Sequence, residues 1–325
     1  MQTHDPATPS VSAVPAEADW ERAPSLVDGA MNLELTAASC DLRYWLRSVP
    51  NGTLRGQVLG HDPGVRPLDV TREPGPLHQA LTQELAFRSI AEEKATRAIA
   101  HLVALAPSVE TMEFYATQLI DEARHAMVFR NHLRALGVET TPQALGQLAG
   151  TDRNAVLIPL EDLGLHVLSY QGDFIGGVVV LTILVEGVLA PAAELSERKW
   201  RIFDPAVADI ERGAGIDEIR HLSVGSSIAR DHLLAHPEDK PRLLELVQRG
   251  QALWNDLPVA DMVLRREILF QEGLDKHAGL VGDYEIWPGR RLVDTTVEER
   301  IGTALEWSET MQVRRLAYMG LTDTP

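Results

Sequence analysis

Asp121-Glu122-Ala123-Arg124-His125 and Asp217-Glu218-Ile219-Arg220-His221 are two copies of one pentapeptide, Asp-Glu-x-Arg-His, in a chain of 325 residues. On an α-helix, a Glu and a His three positions apart differ by about 60° around the axis and about 4.5 Å along it. Both side chains therefore reach one cation, and each copy supplies two ligands. A single Glu-x-x-His is common as a surface pair of a helix. Two copies with the same flanking Asp and Arg call for another explanation.

Working outward, each pentapeptide is preceded at nearly the same distance by a further glutamate. Glu92 lies 30 residues before Glu122, and Glu186 lies 32 before Glu218. That interval suits adjacent antiparallel helices joined by a short connection. Positions 3, 4, 7 and 11 residues away share roughly one helix face. For Glu92 they include Leu81, Leu85, Ala95 and Ile99, for Glu122 Tyr115, Leu119, Ala126 and Phe129, for Glu186 Val179, Ile183 and Leu189, and for Glu218 Val207, Ala214, Leu222 and Ala229. Each carboxylate thus sits within a largely apolar stripe. Glu93 is the rival to Glu92, but its face carries Thr82, Ala86, Ile90, Arg97 and Ala100, which is more mixed.

The repeat reads as helix-with-Glu then helix-with-Glu-x-x-His, twice over, and a four-helix bundle so built offers a two-metal site in its core. The expected ligands are Glu92, Glu122, His125, Glu186, Glu218 and His221. Four carboxylates would balance two divalent cations in a dry core where unpaired charge is costly. Carboxylate with imidazole favours iron or manganese, so two Fe ions are expected, with Mn or a mixed Mn/Fe pair also accommodated. Asp121 and Asp217 are placed to accept a hydrogen bond from the second nitrogen of a ligating imidazole. Arg124 and Arg220 are placed to pair with those aspartates. Tyr115, Thr182, Phe129 and Ala190 are the candidates for a substrate cavity near the ligands. Glu194, Glu197, His101, His132, His166, His232 and His277 lack such a doubled context and are read as solvent-facing or packed side chains.

The paired DEARH and DEIRH, each preceded by a helix with a buried Glu, resemble the di-iron carboxylate oxygenases of the ferritin-like superfamily over roughly Leu81 to Leu234. The resemblance implies an all-α, ferritin-like four-helix bundle with additional flanking helices. It also implies an O2-activating di-iron oxidase or oxygenase acting on a small organic substrate, with O2 as co-substrate. A ferroxidase or iron-handling protein of the same superfamily is the alternative. The flank SLVDG...DLRYWLRSVPNGTLR is similar to the azoxy-forming proteins of valanimycin-type pathways, which implies N-oxygenation or a related oxidation in natural-product biosynthesis. Individual subfamilies are matched less well. Phe129 stands where ribonucleotide reductase small subunits have a radical tyrosine, Ala214 where 4-aminobenzoate N-oxygenases have an extra histidine, and Ala190 where monooxygenase hydroxylases have a threonine.

Composition agrees with a helical protein. Aromatics make up 5% of the chain and apolar residues 45%, a balance of helix formers rather than of twisted sheet. The formal charge of −17 opposes a general nucleic-acid role. A single cysteine, Cys40, excludes an intrachain disulfide and any cluster held by the chain's own thiolates. No flavin or nicotinamide fingerprint is visible, so an external electron donor such as a ferredoxin with its reductase is the expected partner, and a homodimer is admitted. The N-terminus lacks a basic region followed by an apolar run, and the apolar stretch Phe174 to Ala193 carries Glu186 well inside it, which a membrane span tolerates poorly. A cytoplasmic protein without a membrane association is expected.

Residues 1–24 read as a flexible, Pro- and Ala-rich tail, and 25–325 as one helical domain, with the bundle at about 77–235 and buttressing helices at about 240–319. Helices are expected over Ser25 to Val49, Leu77 to Leu105, Ser108 to Leu136, Pro159 to Lys199, Asp204 to Leu234, Lys240 to Leu280 and Thr296 to Met319, the last closed by Gly320. Pro191 removes a backbone donor and predicts a kink near Gly187. Gly172, Gly176, Gly177 and Gly187 fit either a functional irregularity or close helix packing.

Overall fold

A computed structural model describes residues 14–52 and 58–322, the side chains of 50–52 excepted. Its helices run in the order α1 (Leu42–Gly52), α2 (Asp69–Arg72), α3 (Pro76–Leu105), α4 (Val109–Ala135), α5 (Pro142–Leu148), α6 (Ile158–Leu165), α7 (Phe174–Val179), α8 (Gly187–Trp200), α9 (Pro205–Ala235), α10 (Lys240–Asp256), α11 (Val259–Lys276), α12 (Ala278–Val281) and α13 (Val297–Met319). One small hairpin, β1 (Glu285–Trp287) with β2 (Arg290–Arg291), precedes α13. The fold is all-α and ferritin-like.

Four long helical spans form the central bundle: α3, α4, the run Phe174–Trp200 that contains α7 and α8, and α9. Their ends follow from local chemistry. Pro76 opens α3 at a position where its missing N–H costs nothing. Ser108 caps α4 by accepting from the Thr111 N–H at 3.2 Å, and Asp204 caps α9 by accepting from the Val207 N–H at 3.0 Å. Gly320, at φ 79°, closes α13 as its sequence position implies.

Two apolar layers fill the bundle at either end. One gathers Ile99, Leu102, Phe114, Ile183 and Val224, and the other Leu81, Leu85, Phe129, Trp200 and Val207. Between them lies the level of both pentapeptides. The run Phe174–Trp200 is long and apolar enough to cross a membrane, yet most of its apolar part is buried within the protein, as a core helix requires.

The third bundle span differs from the expected Pro159 to Lys199. It begins at Phe174, because Gly172 turns the chain at φ +62° and Asp173 then caps the new helix from the Gly176 N–H at 2.9 Å. Residues 153–170 form a separate irregular helix around α6. Pro191 stays inside α8, and the irregularity expected nearby takes the form of a π-helical stretch, Val180–Glu186, ending on the candidate ligand. Close packing accounts for the neighbouring Gly177, where a Cβ would lie 2.0 Å from Leu168.

Other boundaries shift too. Residues 1–13 of the expected tail lie outside the described residues, but 14–24 are not a free tail: Ala18 and Ala23 are buried, and Arg212 donates to the Ala23 carbonyl at 2.7 Å. Helix over Ser25 to Val49 is replaced by a short turn at Ala30–Asn32 and by α1, because residues 25–41 are held by side chains. The Leu35 N–H donates to Ser223 Oγ at 2.7 Å, and Arg315 donates to the Ala30 carbonyl at 2.8 Å. The Lys240 to Leu280 segment breaks at Leu257 and Pro258, where extended backbone precedes a proline.

Glycines in α9 give a direct test of this packing. A Cβ on Gly225 would meet Thr182 Oγ1 at 2.1 Å, whereas one on Gly215 meets nothing within 4 Å. Gly225→Ala is expected to destabilise the protein by about 1–3 kcal/mol through overpacking. Gly215→Ala is expected to stabilise it by about 0.5–1 kcal/mol through helix propensity. Denaturant unfolding of both variants measures the contrast, and equal effects would contradict the close approach of the π-helical stretch to α9.

Candidate metal centre

The bundle brings the six predicted ligands to one level. Glu92, Glu122 and His125 offer ligand atoms within 4.8 Å of one another, and so do Glu122, Glu186 and His221. Glu122 belongs to both groups and stands between them. Its Oε2 is 3.3 Å from His125 Nδ1, and its Oε1 is 3.1 Å from His221 Nδ1. Glu218 falls outside both groups but places Oε2 3.7 Å from His221 Nδ1. Glu93 is turned away, half-exposed and paired with Arg97 at 2.8 Å, so Glu92 is the inward residue of the two.

Each pentapeptide orients the other. His125 directs Nε2 to Asp217 Oδ2 at 3.2 Å, and His221 directs Nε2 to Asp121 Oδ2 at 3.3 Å. The arginines cross in the same sense, Arg124 donating to Asp217 and Arg220 to Asp121. The aspartates are therefore placed as the sequence suggests, but each serves the histidine of the opposite helix. Every Nδ1 is left facing the glutamates. Two residues outside the sequence reading complete the arrangement. Trp45 of α1 donates its indole N–H to Asp121 Oδ1 at 2.9 Å, and Gln118 of α4 donates to Glu186 Oε1 at 2.6 Å. Gln118 sits one turn before Glu122, which its spacing would have shown; Trp45 gives no such signal.

Electrostatics within the cluster are strained by burial. Desolvation, followed by the neighbouring Glu122 charge, pushes the Glu92 and Glu218 carboxyls up, and desolvation followed by Glu218 does the same to Glu186. Desolvation also opposes ionisation of Glu122, but hydrogen bonds from His125 and His221 outweigh it and hold this carboxyl well below the usual range. For His125, desolvation is outweighed by hydrogen bonds to Asp217 and Glu122, which raise the imidazole to about 9. Protons here stand where positive charge is wanted.

Several of the buried polar atoms left without hydrogen-bond partners lie at the same place. Glu186 Oε2 and Glu218 Oε2 are buried and unsatisfied, and Glu122 Oε1 and His221 Nδ1, buried and 3.1 Å apart, have no well-aligned hydrogen bond. Such orphans are rare in folded proteins and are costly unless something else meets them. A pair of divalent cations fits this donor set: hard carboxylate oxygens with imidazole nitrogen, and no thiolate.

A cavity of about 840 Å³ opens beside the cluster and is lined by Glu92, Glu122, Glu186 and Glu218 at one side. Its remaining wall is mainly apolar, with Leu160, Leu181, Val185, Leu189 and Trp254 among the lining residues. This size and character suit a small organic ligand. Of the four residues expected to border a cavity, Ala190 lines it. Tyr115 and Phe129 are instead core residues in opposite apolar layers, and Thr182 packs against Gly225. Their helical spacing from the ligands does not reveal which side of the cluster they occupy.

Four of the residues read as having no metal role are accounted for by other contacts. His132 pairs with Asp204 at 2.8 Å and His232 with Asp239 at 2.6 Å. Glu194 is buried rather than solvent-facing, bound by Ser25 at 2.5 Å and by Arg198, and Glu197 pairs with Arg201 at 2.8 Å.

No protein-family model matches the chain. Among solved structures, an R2-like ligand-binding oxidase with an aerobically reconstituted metal cofactor after photoconversion superposes with a TM-score of 0.56, at 17% identity over 77% of this chain and 86% of that one. Two single-residue variants of R2-like ligand-binding oxidase with aerobically reconstituted Mn/Fe cofactors each give a TM-score of 0.53 at 19% identity, covering 74% and 76% of this chain and 81% and 83% of theirs. The chain therefore shares the helical fold of the R2-like ligand-binding oxidases over most of its length.

Proposed function

We propose that the protein is a non-haem di-metal oxidoreductase that uses O2 to oxidise a small organic substrate, its metals being two Fe ions or a Mn/Fe pair. The observation that carries this reading is the set of buried, unpartnered carboxylate and imidazole atoms converging on two adjacent ligand groups beside an apolar cavity. The fold likeness to oxidases with Mn/Fe cofactors supports it. The residues that would hold the metals are Glu92, Glu122, His125, Glu186, Glu218 and His221, Glu122 belonging to both groups of ligand atoms.

When bound, the metals would supply the electrons that reduce O2 and the oxidising power applied to the substrate. The chain's own groups do the rest. Asp217 and Asp121 fix the imidazoles so that Nδ1 of each faces inward. Arg124 and Arg220 offset the charge of those aspartates, and Gln118 holds one oxygen of Glu186. The apolar wall excludes water and receives the substrate body. An organic chamber of this volume favours substrate oxidation over the ferroxidase alternative, in which iron itself would be the substrate. The similarity of the N-terminal flank to azoxy-forming proteins supports N-oxygenation as the reaction to examine first. An external reductant, such as a ferredoxin with its reductase, would complete turnover.

Metal analysis tests the reading. Protein loaded anaerobically with Fe(II), or with Mn(II) and Fe(II), is expected to retain two metals per chain and to consume O2 once exposed to it. Glu122→Ala is expected to abolish both, because it removes the shared ligand, and Glu218→Ala to lower metal content. Metal far below one per chain and indifferent to these substitutions would refute the proposal.

The crossed pairs generate two further expectations. Asp217→Asn is expected to weaken metal affinity about 10- to 100-fold by loosening His125, read by competition with a chelator. Arg220→Ala leaves Asp121 buried without its cation and is expected to cost about 3–5 kcal/mol in unfolding of the metal-free protein. Arg97→Ala, at an exposed ion pair, should leave that unfolding curve unmoved; equal losses would deny the buried pair its structural role.

A further inference from the structure

Away from the acidic cluster, the same cavity meets a second set of charged side chains. Arg88 stands one helical turn before Glu92 on α3, and Glu211 stands two turns before Glu218 on α9; both line the cavity. Arg88 Nε lies 3.0 Å from Glu211 Oε1, and Ser196 Oγ donates to that same oxygen at 3.2 Å. The second oxygen, Oε2, is buried and has no partner, although the Glu211 side chain is wholly enclosed. Among the described residues it is the one such carboxylate oxygen in the cavity wall outside the metal cluster.

The cations of this wall already face carboxylates. Lys199 Nζ is 3.2 Å from Glu84 and 2.6 Å from Glu267, Arg266 pairs with Asp152 at 3.1 Å, Arg97 with Glu93 at 2.8 Å, and Lys94 with Glu161. Once Glu211 is ionised, an acceptor-only head, such as an ether oxygen or a carboxylate, would leave Oε2 unmet. A carboxylate would also enter against Glu84, Glu211 and Glu267. Desolvation, against the pull of Arg88, pushes the Glu211 carboxyl up to about 7, as expected where an ionised oxygen lacks a donor.

We propose that Glu211 is the specificity-determining residue of this cavity, its free Oε2 accepting a hydrogen bond from the N–H or O–H head of an otherwise apolar substrate. The inference rests on the reading of the cavity as the substrate chamber. It assigns the substrate class by one requirement, a hydrogen-bond donor head on a hydrocarbon body. The body lies along Val185, Leu189 and Ala190, beside the metal ligands. A site built to meet a donor rejects analogues that lack one, because its buried acceptor is then left unpaired.

Calorimetric titration of the metal-free protein at about pH 8.5, where Glu211 is ionised, with four probes of equal chain length tests this: n-octylamine, 1-octanol, octyl methyl ether and octanoate. The amine or the alcohol is expected to bind at least about tenfold more tightly than the ether and octanoate. Amine above alcohol identifies an ionic contact, and alcohol equal to or above amine a neutral one; either order supports the donor requirement. Glu211→Leu is expected to erase the preference. Glu211→Gln, which keeps a carbonyl acceptor, is expected to retain the preference for the alcohol while losing any advantage of the amine. Glu93→Gln, on the outer face of α3, is expected to leave all four affinities unchanged. Ether or octanoate binding as tightly as the alcohol to the wild-type protein would overturn the proposal, as would an unaltered order in Glu211→Leu. Should Glu211→Leu fail to fold, the wild-type order and Glu211→Gln decide the matter. No metal or O2 is involved, so failure here leaves the metal-content test standing, and failure of that test leaves this binding order to be judged separately.

Discussion

The crossed contacts between α4 and α9 are the constraint on which the rest of the site depends. Asp121 and Asp217 each receive an imidazole N–H and a guanidinium from the opposite pentapeptide. An aspartate at this depth would be costly if unpaired, and its arginine would be equally so. Because each aspartate is met by an arginine and a histidine across the helix pair, the two helices are held in one register. The ligand atoms then have no freedom to turn outward. One set of interactions thereby sets both the relative placement of α4 and α9 and the inward direction of both Nδ1 atoms.

Around this polar level the bundle is dry. Apolar layers above and below, centred on residues such as Ile183 and Trp200, leave the four glutamates in a region where they repel one another: Glu92, Glu186 and Glu218 are pushed toward their neutral forms, while His125 and His221 keep Glu122 ionised. The folded chain thus stores an unfavourable arrangement that two cations would relieve, which couples metal affinity to the fold. The π-helical stretch that ends on Glu186 belongs to the same economy of space: it lies against α9, where Gly225 permits contact with Thr182.

The cavity adds what the metal ligands alone do not supply. Its apolar wall comes from segments far apart in sequence, including Leu160, Leu181 and Trp254. Beside the cluster it offers four glutamates; farther along it offers a matched set of charges with one oxygen left over on Glu211. Selectivity and oxidation would then be assigned to different acidic groups of the same chamber, one meeting the substrate and the other meeting the cations.

The doubled Asp-Glu-x-Arg-His and the two preceding glutamates determined the helical fold and the level at which six side chains meet, because helical period and 30-residue spacing are local properties of the chain. They also indicated that the aspartates would serve the imidazoles. Which aspartate serves which histidine was decided by tertiary structure, since both partners are equally available by spacing and only the packing of α4 on α9 selects the crossed pairing. The same holds for Glu92 over Glu93, for Trp45 on Asp121, and for the sides taken by Tyr115, Phe129 and Thr182. Helical phase says that a residue faces the core, but not which neighbour fills that core. A cavity is the space that packing leaves, and an unpaired oxygen within it becomes visible only when every possible partner has been placed.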